Sequence, residues 1–85
     1  MIAAAIDIGT NSVLLTVGER LPDGQVRILD DRSEITRLGQ GVDQRRVLRA
    51  EAMERTAAAV AAFAARAREL GAGRIRAVGT SAARD

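Results

Sequence analysis

Eighty-five residues with a net charge of +2, one aromatic residue, no cysteine and no histidine make one small domain or part of a larger one. Disulfides, thiolate metal sites and histidine general bases are excluded, so chemistry must run on carboxylates, hydroxyls, arginines, backbone amides or a hard oxygen-bound metal. Every basic residue is arginine. The slight charge and the lone Phe63 argue against a nucleic-acid partner, which needs a basic footprint and stacking platforms. The apolar start, Met1 to Ile6, lacks a basic leader and is cut by Asp7. It therefore reads as neither signal peptide nor membrane span, and a cytoplasmic protein is expected.

Ile2 to Ile8 predicts a first strand, apolar on both faces, that delivers Asp7 near its end. A Gly9-Thr10-Asn11-Ser12 turn follows. Ser12 to Gly18, with Val13, Leu14, Leu15 and Val17, predicts a second strand. Continuous apolar runs of this kind suggest strands covered by layers on both sides. Leu21-Pro22-Asp23-Gly24 suits a type I turn, with proline second and glycine fourth. Gln25 to Leu38 reads as a longer, more polar third strand, and its Asp30-Asp31 pair marks an edge position with a bulge.

Gly39-Gln40-Gly41 breaks that strand. A helix is then predicted from Leu48 to Leu70, burying Met53, Thr56, Val60, Phe63, Ala67 and Leu70 at spacings of three and four. Glu51 and Glu54 near its start and Arg66 and Arg68 near its end suit the helix dipole. Gly71 is the expected stop. Arg74 to Gly79 predicts a fourth strand. Thr80 to Asp85 resembles the cap and first turn of another helix, so the chain reads as the opening of a longer protein. The order β-β-β-α-β places the chain in the α/β class with a mixed sheet. The helical crossover should return the fourth strand parallel to the first, on the right-handed side.

Two clusters suit phosphate chemistry. In the first, Asp7 can hold Mg²⁺ or orient a nucleophile. Gly9 lets the backbone turn closely, and the amides and hydroxyls of Thr10 to Ser12 can donate to phosphate oxygens. On spacing alone Asp7 reads equally as a turn-capping aspartate, and Asn11 as a turn former at positive φ. No Gly-Lys-Ser/Thr triplet is present, which excludes the common P-loop. In the second cluster, Thr80 and Ser81 open a helix whose free amides attract anions, with Arg84 about one turn in as a two-pronged donor. By itself this cluster reads more simply as a capped surface helix. A parallel fourth strand would bring the two clusters to one sheet edge, which favours the phosphate reading. Arg37, Arg45 and Arg46 read as solvated loop cations rather than as contacts for a long anion.

The stretch Ala5-Ile6-Asp7-Ile8-Gly9-Thr10-Asn11-Ser12 resembles the first phosphate motif of the actin-like ATPase superfamily, with a ribonuclease H-like sheet. Its Asn-Ser pair is similar to the exopolyphosphatase / guanosine pentaphosphate phosphohydrolase (Ppx/GppA) family. Two further stretches resemble that family in order and spacing: Thr36-Arg37-Leu38-Gly39-Gln40-Gly41-Val42 followed by Glu51-Ala52-Met53-Glu54-Arg55, and Ala77-Val78-Gly79-Thr80-Ser81-Ala82-Ala83-Arg84-Asp85.

The resemblance implies a Mg²⁺-dependent hydrolase of terminal phosphoanhydrides in polyphosphate or guanosine pentaphosphate. Asp7 would lie near the metal and the attacking water. Gly9, Thr10, Asn11 and Ser12 would hold a phosphate, and Thr80, Ser81 and Arg84 would contact the phosphate chain. It also implies a homodimer. The general-base glutamate and the second lobe would lie further along, so residues 1–85 would be an incomplete N-terminal lobe. Val13, Leu14 and Leu15 stand where many members carry a basic residue, and Arg49 stands at a frequent serine cap. A phosphotransferase of the same superfamily and a non-catalytic polyphosphate- or alarmone-binding module are the competing readings. An adenosine-binding glycine motif downstream would mark the former, and binding without turnover the latter.

Overall fold

Ala4, Ile6, Val13, Leu15 and Val17 recur at every second position of two neighbouring strands, and this alternation decides which face of the sheet is buried. The computed structural model describes residues 1–37 and 50–79. Strands β1 (Ile2–Ile8), β2 (Ser12–Arg20) and β3 (Val26–Ile35) form an antiparallel meander. Helix α1 (Ala50–Glu69) then precedes β4 (Arg74–Gly79), which lies parallel to β1. The sheet order is β3-β2-β1-β4, as a mixed sheet with one helical crossover requires.

Helix α1 covers one face of the sheet. Ala59, Phe63 and Ala67 meet Ala4, Ile6, Val13, Leu15 and Val17 in a single core. Leu15 is fully buried, and a leucine so placed contributes about 2 kcal/mol relative to exposure. The expected stripe is rotated by one position at the helix start: Ala52 is buried, whereas Met53 is 51% exposed. Small alanines let the helix approach the sheet closely, so the contact row runs through 52, 56, 59, 63 and 67. Leu48 and Arg49, the expected helix start, lie outside the described residues.

The opposite face differs from the two-layer expectation. Ala5, Asp7, Leu14, Thr16 and Val78 are exposed there, and no described element covers them. Among the described residues, the continuous apolar runs of β1 and β2 therefore divide into one row facing the helix and one left exposed.

Both turn expectations at glycine hold, with more detail than the sequence supplied. The Gly24 amide donates to the Leu21 carbonyl at 2.9 Å, and Gly24 has φ +89°. Together with the Leu21 amide bonded to the Gln25 carbonyl at 2.8 Å, this is a type I turn followed by a glycine bulge. At the helix end, Gly71 (φ +91°) donates to Arg68 and Ala72 donates to Ala67, both at 3.0 Å. This pair of bonds satisfies carbonyls that the helix leaves free.

The bulge expected near Asp30 is present. Val17 pairs with Asp30 but Gly18 pairs with Ile28, so Leu29 has no partner on β2. The inserted residue lets two consecutive side chains serve the helix side: Leu29 packs against the core and Asp30 reaches Arg66 on α1.

Candidate phosphate site

Strand β1 carries Asp7 one residue before its end, and Gly9-Thr10-Asn11-Ser12 turns the chain back into β2. The Gly9 amide donates to the Ser12 carbonyl at 2.9 Å, closing the loop around Thr10 and Asn11. Both loop residues are exposed, and neither has a positive φ. Asn11 is therefore not a left-handed turn former. Gly9 matters through close approach: a Cβ there would sit 3.0 Å from the Ser12 carbonyl oxygen.

Asp7 is exposed and shares the open face with Ala5. Its register neighbours are Leu14 on β2 and Val78 on β4, themselves 42% and 48% exposed. The carboxylate is thus held between two apolar side chains beside the loop, with no described cation paired to it. Among the described residues no three acidic side chains converge on a common point. One carboxylate next to serine and threonine hydroxyls is still a donor set that suits Mg²⁺, which binds through one or two carboxylates and completes its shell with water and phosphate oxygens.

A second strand end is tied to this loop. The Asn11 carbonyl accepts hydrogen bonds from the Thr36 amide at 3.0 Å and the Arg37 amide at 3.1 Å. The Thr36 bond continues the register that pairs Ser12 with Ile35, and the Arg37 amide breaks it by turning to the same carbonyl, so β3 ends at Ile35; Leu38, the expected end, lies outside the described residues. Arg37 takes φ +54°, and its side chain is exposed. Thr36 is buried, and its hydroxyl has no hydrogen-bond partner among the described residues. The Thr36 carbonyl accepts from Arg55 Nε of α1 at 2.9 Å, so helix, β3 and loop are joined through two consecutive residues. Nothing in the residue types of Thr36 and Arg37 marks them as loop-binding; the following Gly39 was the only local sign of a turn.

The parallel return of β4 pairs Gly79 with Ile8, so the described part of β4 ends beside the loop at the same edge. Thr80, Ser81 and Arg84, together with Arg45 and Arg46, lie outside the described residues. Of the expected site, the described residues thus bring together Asp7, Gly9, Thr10, Asn11 and Ser12, and add Thr36 and Arg37.

Residues 17–85 match the Ppx/GppA phosphatase family model. The chain is 44% identical over 85 residues to exopolyphosphatase 2 of Mycobacterium tuberculosis, covering 96% of this chain and 27% of that protein. It is 37% identical over 81 residues to the guanosine-5'-triphosphate,3'-diphosphate pyrophosphatase of Vibrio vulnificus, covering 95% of this chain and 16% of that one. A crystal structure of the Aquifex aeolicus Ppx/GppA phosphatase superposes with a TM-score of 0.92 at 34% identity, over 99% of this chain and 28% of that one. An exopolyphosphatase from Cytophaga hutchinsonii gives 0.91 at 27% identity, over 99% and 27% of the two chains. The chain spans about a quarter of the length of most of these relatives and a sixth of the Vibrio protein.

Proposed function

The chain belongs to the Ppx/GppA phosphatase family, and from that premise we propose that it is the incomplete N-terminal lobe of a Mg²⁺-dependent phosphoanhydride hydrolase. Its substrates are inorganic polyphosphate, guanosine pentaphosphate or both, the two classes carried in the names of the Mycobacterium and Vibrio relatives. The observation that carries the reading is the closed Gly9–Ser12 loop beside Asp7, with its Asn11 carbonyl tied to the end of β3.

In this reading the Thr10 to Ser12 amides and the Thr10 and Ser12 hydroxyls hold phosphate oxygens. Asp7 holds the attacking water or the metal in place, while Thr80, Ser81 and Arg84 take the phosphate chain from the other strand end. Bound Mg²⁺ would neutralise charge on the transferring phosphoryl group. Because such transfer depends chiefly on positioning and electrostatic stabilisation, a hydrogen-bonded loop at a strand end is the part this lobe can supply. The general-base glutamate belongs to the chain beyond residue 85, so the 85 residues alone would not turn over substrate. A cytoplasmic location, a homodimeric full-length protein and no nucleic-acid partner complete the proposal; among the described residues no helix is long and apolar enough to cross a membrane.

The test is phosphate release from polyphosphate by the full-length protein carrying Asp7→Ala. Loss of Mg²⁺-dependent release with an unchanged circular dichroism spectrum is expected. Near-normal turnover would remove Asp7 from the mechanism.

A further inference from the structure

The described residues have three positive-φ positions, and the chain fills two of them, Gly24 and Gly71, with glycine. The third is Arg37. A left-handed backbone costs an arginine roughly 1–2 kcal/mol more than it costs glycine, so a position needed only to reverse the chain would be better filled by glycine or asparagine. The strain sits against the phosphate loop: the Arg37 amide and its neighbour at Thr36 both donate to the Asn11 carbonyl. The arginine backbone is therefore anchored beside Thr10 and Asn11, whatever its side chain does.

That side chain is exposed and forms no ion pair or hydrogen bond with a described residue. Arg27, Arg32 and Arg66 by contrast are each paired with a carboxylate. The loop itself, Gly9 to Ser12, carries no cation, and Val13, Leu14 and Leu15 follow it. Asp7 adds a negative charge beside it. A phosphate chain at this loop therefore needs a positive partner, and among the described residues Arg37 is the one whose backbone is bonded to the loop.

We infer that Arg37 is a phosphate-binding residue, its guanidinium supplying the charge that the Thr10–Asn11 loop lacks and its strained backbone holding that charge beside the loop. The inference rests on the phosphate reading of the loop proposed above. Its ligand is the oxyanion of a linear phosphate chain, for which a planar guanidinium offers two parallel donors.

The experiment measures binding of sodium tripolyphosphate by calorimetry to the full-length protein and to Arg37→Gly, Arg37→Asn and Arg37→Lys. Glycine and asparagine accept φ +54° more readily than arginine, so the first two variants keep the fold while removing the charge. Loss of one charge-assisted contact should raise Kd roughly 10- to 100-fold in both, and KM for polyphosphate should rise with it. Arg37→Lys should recover part of the affinity. The gap between wild type and Arg37→Gly should close as salt approaches 1 M, where screening acts within about 3 Å; a purely structural role would not produce that convergence. Unchanged Kd in folded Arg37→Gly and Arg37→Asn would overturn the inference and leave Arg37 as a chain-reversing residue. Failure of the wild-type protein itself to bind tripolyphosphate would instead bring down the loop reading, and this inference with it.

Discussion

Asp30 on β3 accepts a hydrogen bond from Arg66 Nε on α1 at 3.0 Å, tying the sheet edge to the helix across 36 residues of sequence. Arg32 Nε reaches the same carboxylate oxygen at 2.8 Å, and the other oxygen accepts from the Asp31 amide at 2.9 Å. The Arg66 hydrogen bond is the largest cause holding the Asp30 carboxyl below its ordinary value of 3.8. A carboxylate with a lowered folded-state pKa contributes stability above the unfolded value and loses it as pH falls through the folded one. Asp30→Asn should therefore lower Tm near neutral pH. The difference from wild type should shrink once pH falls below about 4. Thermal melts of both proteins across that range check this, and a difference independent of pH would show that packing, not ionisation, sets the effect.

Elements whose signal is local are legible in the sequence, and those set by distant contacts are not. β1 and β4 have the expected bounds: β1 is a largely apolar run stopped by Gly9, and β4, which carries Arg74 and Arg76 beside Ile75, Ala77 and Val78, lies between Gly73 and Gly79. The stop at Gly71 and the turn at Gly24 were equally legible, since positive φ and glycine go together. Met53 drew the predicted stripe away from Ala52 because hydrophobic periodicity weights large side chains, whereas a helix lying on a sheet also selects small ones. The end of β3 was not legible: the amides of Thr36 and Arg37 are captured by the carbonyl of Asn11, some 25 residues earlier, which no local pattern records. The acidic pair pointed to the bulge, but not to its effect of turning Asp30 toward Arg66.

Thr36 supplies a prediction of opposite sign to most core changes. The residue is 1% exposed, and its hydroxyl lacks a partner among the described residues, whereas the Thr56 hydroxyl donates to the Ala52 carbonyl at 2.8 Å. Thr36→Val keeps the shape and removes the unsatisfied group, so stability should stay level or rise by up to about 1 kcal/mol. Thr56→Val removes a made hydrogen bond within the helix and should lower stability instead. Chemical denaturation of the two variants gives the comparison; a loss of more than about 1 kcal/mol in Thr36→Val would show that the hydroxyl is bonded in solution.

Arg84 lies five residues after Gly79, which pairs with Ile8 beside the loop. If it clamps the phosphate chain, Arg84→Ala in the full-length protein should raise KM for long polyphosphate roughly tenfold, the value of one charge-assisted contact. Short substrates should be less affected if the contact is made away from the terminal phosphate. Steady-state kinetics over a series of chain lengths provides the measurement, and unchanged KM throughout would return Arg84 to a solvated helix surface.

Gly9 and Gly24 separate loop geometry from backbone freedom. A methyl group at Gly9 would stand 3.0 Å from the Ser12 carbonyl oxygen, the acceptor of the Gly9 amide, so the loop must open to admit it. At Gly24 a methyl would meet nothing within 4 Å, but φ +89° disfavours any side chain. Both Gly9→Ala and Gly24→Ala should therefore cost about 1 kcal/mol of stability, the first through crowding and the second through strain. Only the first should weaken tripolyphosphate binding, because only its strain falls within the loop that presents the Thr10 to Ser12 amides. Denaturation curves establish the matched loss and calorimetry the divergence. Equal Kd in the two variants would mean that the 2.9 Å closure of the loop is not what the phosphate requires.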